Sequence, residues 1–431
     1  MQRAGEAAAT LAARLASERE KDILVLAGPG NNGGDARIAA ERLREQFFRV
    51  HIATRMEDIP SVERWALVID GLFGIGLARD IEGDYARLID YVNRQRCPVL
   101  ALDIPSGLQS DTGRVMGRAV RATHTITFIA LKPGLLTLDG PDHCGELTVA
   151  DLGLEAKGAA AWAASPELFQ GALKPRPRNF HKGMAGSLGI FGGAAGMTGA
   201  ALLAGRAALK LGAGRVYLGL LDQTLHVDPG APELMIRHAD DALGQDLDAM
   251  VVGPGLGQSE RAETLVGAAL ASDIACVVDA DALNLMSENE DLRKACARRS
   301  AETLLTPHPA EAARLLGTNT AAVQADRVKS ARMLGHNLNA HIVLKGNGSI
   351  IVARDGHWFI NRTGHAGMAS AGTGDVLAGM LGALLAQRYT GETAIVVGVH
   401  LHGAAAEGLP RVGLSASELI EPARQILNSW L

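Results

Sequence analysis

The sequence predicts two α/β domains in tandem, each built on a largely parallel sheet, the first of them a Rossmann-like doubly wound layer. Three observations carry that expectation. Short runs that are apolar throughout, rather than alternating, recur between stretches of helical periodicity, as strands buried on both faces require. Glycines, 51 among 431 residues against an ordinary share of roughly 7%, cluster at the ends of those runs, where tight turns and ligand-lining backbone are made. The pattern breaks once, between about Glu155 and Asn179, where an alanine-rich stretch leads into the proline- and base-rich segment Lys174 to Asn179. Domains are therefore expected over 1–155 and 179–431, joined by a linker over 156–178.

The elements follow in order. Apolar positions near the N-terminus, including Leu11 and Leu15, suit an amphipathic helix. Ile23–Ala27 is a β-rich run ending in glycines, and a helical stretch is expected from Asp35 to about Gln46. Val50–Ala53, Ala66–Ile69, Pro98–Leu102 and Thr125–Ile129 are further strands, which right-handed crossovers wind into one layer. After the linker come a strand at Ser187–Phe191, a long helix at Thr198–Leu211, and a strand near Val216. Ala249–Val252, Ala275–Asp279, Thr303–Thr306, His341–Lys345 and Ser349–Val352 continue the series, and the tail from Asp375 is mostly helical. The halves share an architecture and no motif, so they read as two different domains.

A net charge of -5 and the lack of a polybasic run argue against nucleic acid or a membrane surface as partner. Cys97, Cys144, Cys276 and Cys296 are far apart and form no C-x-x-C pair, which fits a reducing compartment rather than a disulfide framework or zinc site. The N-terminal residues carry charges throughout and no apolar h-region, and no run of about 18 apolar residues occurs. A cytoplasmic location is the expectation.

Gly28-Pro29-Gly30-Asn31-Asn32-Gly33 matches G-x-G-x-x-G between a strand and a helix. The dinucleotide reading also wants an acid about 20 residues on, where this chain has Ala53-Thr54-Arg55. The loop continues Gly34-Asp35, and a carboxylate in the first helical turn would repel a diphosphate there. Asp35 as a helix cap is the plainer alternative. Two later strand ends add oxygen chemistry: Asp70 before Gly71-Leu72-Phe73-Gly74-Ile75-Gly76-Leu77, and Asp103 before Ile104-Pro105-Ser106-Gly107. In a parallel sheet such carboxyl ends line one crevice.

GPGNNGGD, VIDGLFGIGLARD, LALDIPSGL and FIALKPG together resemble the NAD(P)H-hydrate epimerase (YjeF N-terminal) family over nearly all of residues 1–150. The resemblance implies that Asn31, Asn32, Gly33, Gly34, Asp35, Gly74, Ile75, Gly76, Leu77, Ala78, Arg79, Asp80 and Asp103 contact the hydrated cofactor. It implies a potassium ion on Asn32, Asp70 and Ser106, oxygen ligands suited to a hard cation. It also implies interconversion of the epimers at C6 of the hydrated nicotinamide, with Asp103 and Lys132 as the proton-handling pair. The chain departs from the family's G-G-D-G at Ala36. The family carries a further helix ahead of the M-x-R-A-G segment at which this sequence starts, so either that helix lies upstream or the domain lacks it. A binding-only first domain is the alternative.

In the second half, Ala371-Gly372-Thr373-Gly374-Asp375 precedes a helix expected to begin at about Gly374. Free N–H groups at such a start bind anions, and an acid beside them can take a proton from a hydroxyl while phosphoryl charge is stabilised nearby; Asp375 as a mere cap is the bland reading. No G-x-x-x-x-G-K-[ST] occurs, which excludes a P-loop. Lys345-Gly346-Asn347-Gly348-Ser349 looks like a hairpin turn. Gly253-Pro254-Gly255-Leu256-Gly257, Asp279 to Asn284, and Thr306 to Glu311 around His308 follow other strands.

HKGMAGSLGIFGG, GMTGAA, GPGLG, DADALN, TPHPAE, KGNGS and AGTGD resemble the ADP/ATP-dependent NAD(P)H-hydrate dehydratase family, of ribokinase-like α/β fold, over about residues 165–431. The resemblance implies Asp375 as the base on the C6 hydroxyl of the S epimer, with Gly372, Thr373 and Gly374 stabilising the transferring phosphoryl group. It implies nucleotide binding by Lys345, Gly346, Asn347, Gly348 and Ser349, with the run from His365 to Gly374, and hydrate contacts from Gly257, His308 and Asp375. ADP or ATP with magnesium, NADH or NADPH hydrate as substrates, and a homo-oligomer follow from the same resemblance. A ribokinase-like kinase of a small alcohol is the rival reading.

Overall fold

The computed structural model describes residues 1–16, 22–61, 64–155, 158–159 and 161–431. The chain divides into two compact units, 1–159 and 160–431.

The first unit is a six-stranded sheet in the order β2-β1-β3-β4-β5-β6. Its strands are β1 (Asp22–Ala27), β2 (Arg49–Ala53), β3 (Trp65–Gly71), β4 (Val99–Leu102), β5 (His124–Phe128) and β6 (Glu146–Ala150), all parallel. The uniformly apolar runs are buried along their whole length, as in Ile23 to Ala27. Helices α1 (Gln2–Leu15) and α2 (Asn31–Glu45) pack through Ala4, Ala8, Ala12, Ala36, Ala39 and Ala40 against one face. Helix α3 (Gly83–Asn93) covers the other with Leu88, Ile89 and Val92. The order reverses at β1, between β2 and β3, which opens the crevice where such sheets bind ligands. Residues 17–21, the end of the helical stretch read from the sequence, lie outside the described residues.

The second helix corrects an expectation. It starts at Asn31, capped by Gly30, not at Asp35, so Asn31–Asp35 form its opening turns and Asp35 is not a cap. Two asparagines and two glycines are poor helix formers, but close backbone approach outweighs propensity here. A Cβ at Gly33 would fall 1.9 Å from the Gly28 carbonyl oxygen, and one at Gly28 would fall 1.8 Å from that of Leu72.

The second unit is a ten-stranded sheet in the order β10-β9-β8-β11-β12-β13-β14-β15-β16-β7. Its strands are β7 (Ala161–Ala164), β8 (Ser187–Gly192), β9 (Arg215–Leu220), β10 (Met235–His238), β11 (Ala249–Val252), β12 (Ala275–Val278), β13 (Thr303–Leu305), β14 (His341–Leu344), β15 (Ile350–Val352) and β16 (Trp358–Asn361). The strands from β10 to β14 are parallel, whereas β15 runs antiparallel to β14 and to β16. Helices α4 (Thr198–Lys210), α7 (Thr373–Ala386) and α8 (Gly391–Glu407) form the core against it, and every residue of α7 from Val376 onward is buried. Two short helices, α5 (Asp281–Glu288) and α6 (Pro309–Leu315), follow β12 and β13.

The linker expected over 156–178 also needs correction. Its residues Ala161–Ala164 pair with β16 as the edge strand β7, and Phe169 and Leu173 are buried in the second core. Small, alanine-rich strand residues gave no β signal, because the pairing partner lies nearly 200 residues away, at Trp358 to Asn361.

Candidate active sites

In the first unit the crevice is made by the turns after β1, β3 and β4. Asp70, at the end of β3, is fully buried. It accepts hydrogen bonds from Ser106 Oγ at 2.6 Å, from the Ser106 N–H at 2.8 Å and from the Leu72 N–H at 3.3 Å. Burial pushes its carboxyl up to about 6, against the opposing pull of the Ser106 bonds. Ser106 Oγ also accepts from the Phe73 N–H at 2.8 Å. Asn32 donates Nδ2–H to the Phe73 carbonyl at 2.9 Å, and its Oδ1 is buried without a hydrogen-bond partner. Asn32 and Ser106 thus converge on Phe73, and Asp70 joins them through Ser106.

Asp35 projects from the second turn of α2, with Oδ1 buried and unbonded, 3.9 Å from the Met1 amino group. Burial raises its carboxyl to about 6; the Met1 ammonium opposes the rise and Asp103 adds to it. Asp103 holds a left-handed backbone, φ 64°, a conformation that costs a non-glycine residue on the order of 1 kcal/mol. That turn aims its carboxylate at the Lys132 ammonium, with which it forms a short ion pair, and at the Phe128 N–H, 3.2 Å away. Lys132 further donates to Thr127 Oγ1 at 2.9 Å and to the Phe128 carbonyl at 2.8 Å, so it is held in one direction. Gly74–Asp80 form a mostly exposed loop beside them; a Cβ at Gly74 would meet Asn32 at 3.4 Å, while Gly76 faces open space. Ala36 is fully buried, and its Cβ lies 2.4 Å from where a Cβ on Gly71 would be. Its methyl therefore fills space left by Gly71 between helix and strand.

In the second unit the turn after β11 is zipped to the turn after β8. Gly193 and Ala194 donate N–H groups to the carbonyls of Pro254 (3.0 Å) and Gly255 (2.7 Å). Gly257, in the left-handed region at φ 70°, donates its N–H to Asp281 at 2.8 Å. Between Asp279 and Asp281 stands Ala280 at φ 51°, a second strained non-glycine residue. The kink turns neighbouring carboxylates apart: Asp281 takes Gly257, while buried Asp279 takes Thr306 Oγ1 at 2.7 Å and Lys345 Nζ at 2.9 Å.

Asp375 lies in the first turn of α7, whose cap, Gly372, is left-handed at φ 89°. Burial lifts its carboxyl to about 7, helped by Asp279 and Asp281 and opposed by Lys345. A Cβ on Gly374 would lie 3.3 Å from Lys345 Nζ and 3.7 Å from Asp279 Oδ2, so the helix start, the lysine and the buried acid meet at one point. For Lys345, burial disfavours the charge, but Asp279, Glu311 and Asp375 outweigh it and raise the ammonium above its usual range. Lys345–Ser349 form the β14–β15 hairpin, with Gly346 at φ 142° beside the buried Arg327 guanidinium. His365 is bound by Nε2 to the Ala406 carbonyl at 2.7 Å and accepts from the Gly367 N–H at 3.0 Å.

His308 caps α6. Its Nδ1 accepts from the N–H groups of Ala310 and Glu311, which leaves the proton on Nε2, 3.2 Å from Glu311 Oε1. Burial lowers its pKa. Glu311, nearly fully buried, carries no functional signal in the sequence: its place three after His308 reads as an ordinary cap partner. Burial lifts it to about 7. His402 on α8, buried and lowered to about 4 by that burial, likewise carries no sequence signal.

Two largely parallel sheets, each with acids and glycine turns at its carboxyl edge, and in the second a helix start beside a lysine and carboxylates, define a two-unit α/β enzyme with a ribokinase-like second half. Comparisons agree. A family model for the YjeF-related protein N-terminus matches residues 1–66 and 53–134, and one for NAD(P)H-hydrate dehydratase matches 188–420. The chain is 37% identical to the bifunctional NAD(P)H-hydrate repair enzyme Nnr of Escherichia coli (strain K12), covering 99% of this chain and 89% of that protein. Its counterpart from Coxiella burnetii is 36% identical over 99% and 94%. The crystal structure of ADP/ATP-dependent NAD(P)H-hydrate dehydratase from Bacillus subtilis, co-crystallised with ATP/Mg2+, superposes with a TM-score of 0.56. It is 29% identical and covers 64% of this chain and all of that one. A ribokinase-like superfamily protein from Enterococcus faecalis V583, 23% identical, shares the fold at the same score, over 64% of this chain and 98% of its own. This chain belongs to the family of bifunctional NAD(P)H-hydrate repair enzymes.

Proposed function

We propose that the first unit interconverts the R and S epimers of NAD(P)H hydrate and that the second uses ADP or ATP to dehydrate the S epimer to NAD(P)H. The observation that carries this reading is Asp375, a carboxyl with a pKa near 7 set in the first turn of a buried helix. At that value it accepts a proton near neutrality, while the N–H groups of Gly372–Gly374 face incoming anionic charge.

In the dehydration, Asp375 takes the proton of the C6 hydroxyl. The oxygen attacks the terminal phosphoryl group, and a nucleotide one phosphate shorter departs. The C6–O bond then breaks with phosphate as leaving group and C5 gives up a proton, which restores the ring double bond. Lys345, whose charge Asp279 keeps in place, faces the nucleotide phosphates, and the hairpin Gly346–Ser349 and Gly372–Gly374 bind it through backbone. Gly257 and His308 hold the hydrated cofactor. Magnesium would come with the nucleotide and neutralise phosphate charge during the transfer.

In the epimerisation, Asp103 and Lys132 move the C6 hydroxyl proton to the ring nitrogen as the C6–N bond breaks and C6 becomes an aldehyde carbonyl. Rotation and re-closure of nitrogen on the other face, with the proton returned to oxygen, give the other epimer. Asn31–Asp35 with Gly74–Asp80 bind the hydrate. The buried, unbonded Asn32 Oδ1 and the elevated carboxyl of Asp70 fit a potassium ion held by Asn32, Asp70 and Ser106. Such an ion supplies positive charge to order the turn and orient the hydrate. We further read the enzyme as a cytoplasmic homo-oligomer, as the sequence resemblance and the scattered cysteines suggest.

The test mixes the full chain, magnesium, ADP or ATP and a mixture of hydrate epimers, and follows the near-ultraviolet absorbance of the dihydronicotinamide ring. Regained absorbance with one phosphate released per ring supports the dehydratase. A stable phosphorylated product would establish the kinase reading instead.

A further inference from the structure

One carboxylate touches both halves of the dehydratase site. Glu311 Oε2 accepts the His308 backbone N–H at 2.7 Å and lies 4.0 Å from Lys345 Nζ, while Oε1 lies 3.2 Å from His308 Nε2. A helix cap needs only the first of these contacts. The other two join the histidine assigned to the hydrate with the lysine assigned to the nucleotide. His308 has spent Nδ1 on the N–H groups of Ala310 and Glu311, so its Nε2 carries the proton, and the half-exposed ring holds that nitrogen beside Glu311 Oε1. A carboxyl places one oxygen on the backbone N–H and the other 3.2 Å from the ring nitrogen, and in its ionised form its charge faces the lysine. Asp279 supplies Lys345 with its other partner, and Arg314 is the remaining cation near Glu311.

We infer that Glu311 is a positioning residue of the dehydratase, which fixes the His308 ring and the Lys345 ammonium relative to each other and so couples hydrate binding to nucleotide binding. This rests on the reading of the second unit given above. Glu311 does not touch the reacting atoms.

Glu311→Gln separates positioning from a structural cap. Its single carbonyl oxygen still accepts the His308 backbone N–H, so the cap survives. Its amide then faces Nε2–H donor to donor, and the charge opposite Lys345 is gone. In the full-length protein, calorimetric titration with Mg·ADP is expected to give about tenfold weaker binding than wild type. The nitrogen NMR signals of His308, assigned by their loss in His308→Gln, are expected to leave the single Nε2–H form seen in wild type. With the hydrate, KM should rise about tenfold while kcat stays within about threefold, and Tm should hold to within a few degrees.

Wild-type ADP affinity with an unchanged His308 tautomer in Glu311→Gln would leave Glu311 as a cap only and overturn the inference. A fall in kcat with both binding constants intact would make it a participant in the chemistry and overturn it as well. The calorimetric and NMR measurements need no turnover. A wild-type protein that restores no absorbance would defeat the proposed reaction, while these two readouts still decide the role of Glu311.

Discussion

Asp375→Asn should abolish dehydration and make the second unit more stable, and the size of that gain should depend on pH. The carboxyl moves from an ordinary 3.8 to about 7 in the fold. The difference is about 3, and each step of one corresponds to about 1.4 kcal/mol, so the ionised form costs the fold roughly 4 kcal/mol. The sign follows from linkage. Below 3.8 the side chain is protonated folded or unfolded and contributes nothing. As pH rises from 3.8 to 7 the unfolded chain releases its proton first, and wild type loses stability until the folded carboxyl also ionises. Asparagine has no such loss. Its advantage should be about 1–2 kcal/mol at pH 5 and approach roughly 4 kcal/mol at pH 8. Urea unfolding followed by tryptophan emission measures it, because Trp162, Trp358 and Trp430 all lie in the second unit and only Trp65 in the first. Catalysis should fall by about 10² or more if the residue is the base. An advantage that does not change between pH 5 and 8, or an asparagine variant less stable at pH 8, would refute both the elevated carboxyl and the role built on it.

Three further outcomes are expected. Asp103→Asn and Lys132→Met should each remove the acceleration of R-epimer conversion over the spontaneous rate and leave turnover of purified S epimer unchanged; unaltered repair of mixed epimers in both would make the first unit binding-only. Potassium chloride, compared with lithium chloride, should raise the Tm of the first unit above about pH 6 and lose that effect as pH falls through it, because Asp70 then takes up a proton; Asp70→Asn should abolish the difference, which a thermal scan at the two pH values checks. Gly33→Ala should destabilise by roughly 3 kcal/mol, since its methyl would fall 1.9 Å from the Gly28 carbonyl, whereas Gly76→Ala, facing open space, should stay within about 0.5 kcal/mol in urea titrations.

What could be read from sequence divides along a physical line. The central strands were legible because burial on both faces leaves only apolar residues, as in Ile23–Ala27 or Ala249–Val252. The edge strands β6, β7 and β10 were not, since Glu146–Ala150, Ala161–Ala164 and Met235–His238 are largely half exposed and owe their conformation to partners far along the chain. The start of α2 was misplaced because glycine propensity argues against a helix at Asn31, and only the tight approach to Gly28 and Leu72 allows it.

The same division holds within the sites. Asp70 and Asp375 stand beside glycines, at a strand end and a helix start, and Asp103 and Asp279 follow other strands, places where topology alone points to a crevice. The direction of each side chain is set by something no residue pattern announces: alanine and aspartate, not glycine, occupy the left-handed positions 280 and 103. A residue that tolerates the conformation poorly is used where glycine would be easier, and at each position the kink aims a carboxylate, Asp103 at Lys132, Asp279 at Lys345 and Asp281 at Gly257. Replacing Ala280 by glycine relieves about 1 kcal/mol of strain and also frees the backbone that holds Asp279 and Asp281 apart. A more stable protein with weaker nucleotide binding, read by urea unfolding and Mg·ADP titration, is the result this argument requires; a variant that gains stability and keeps wild-type affinity would mean the strain serves no positioning role.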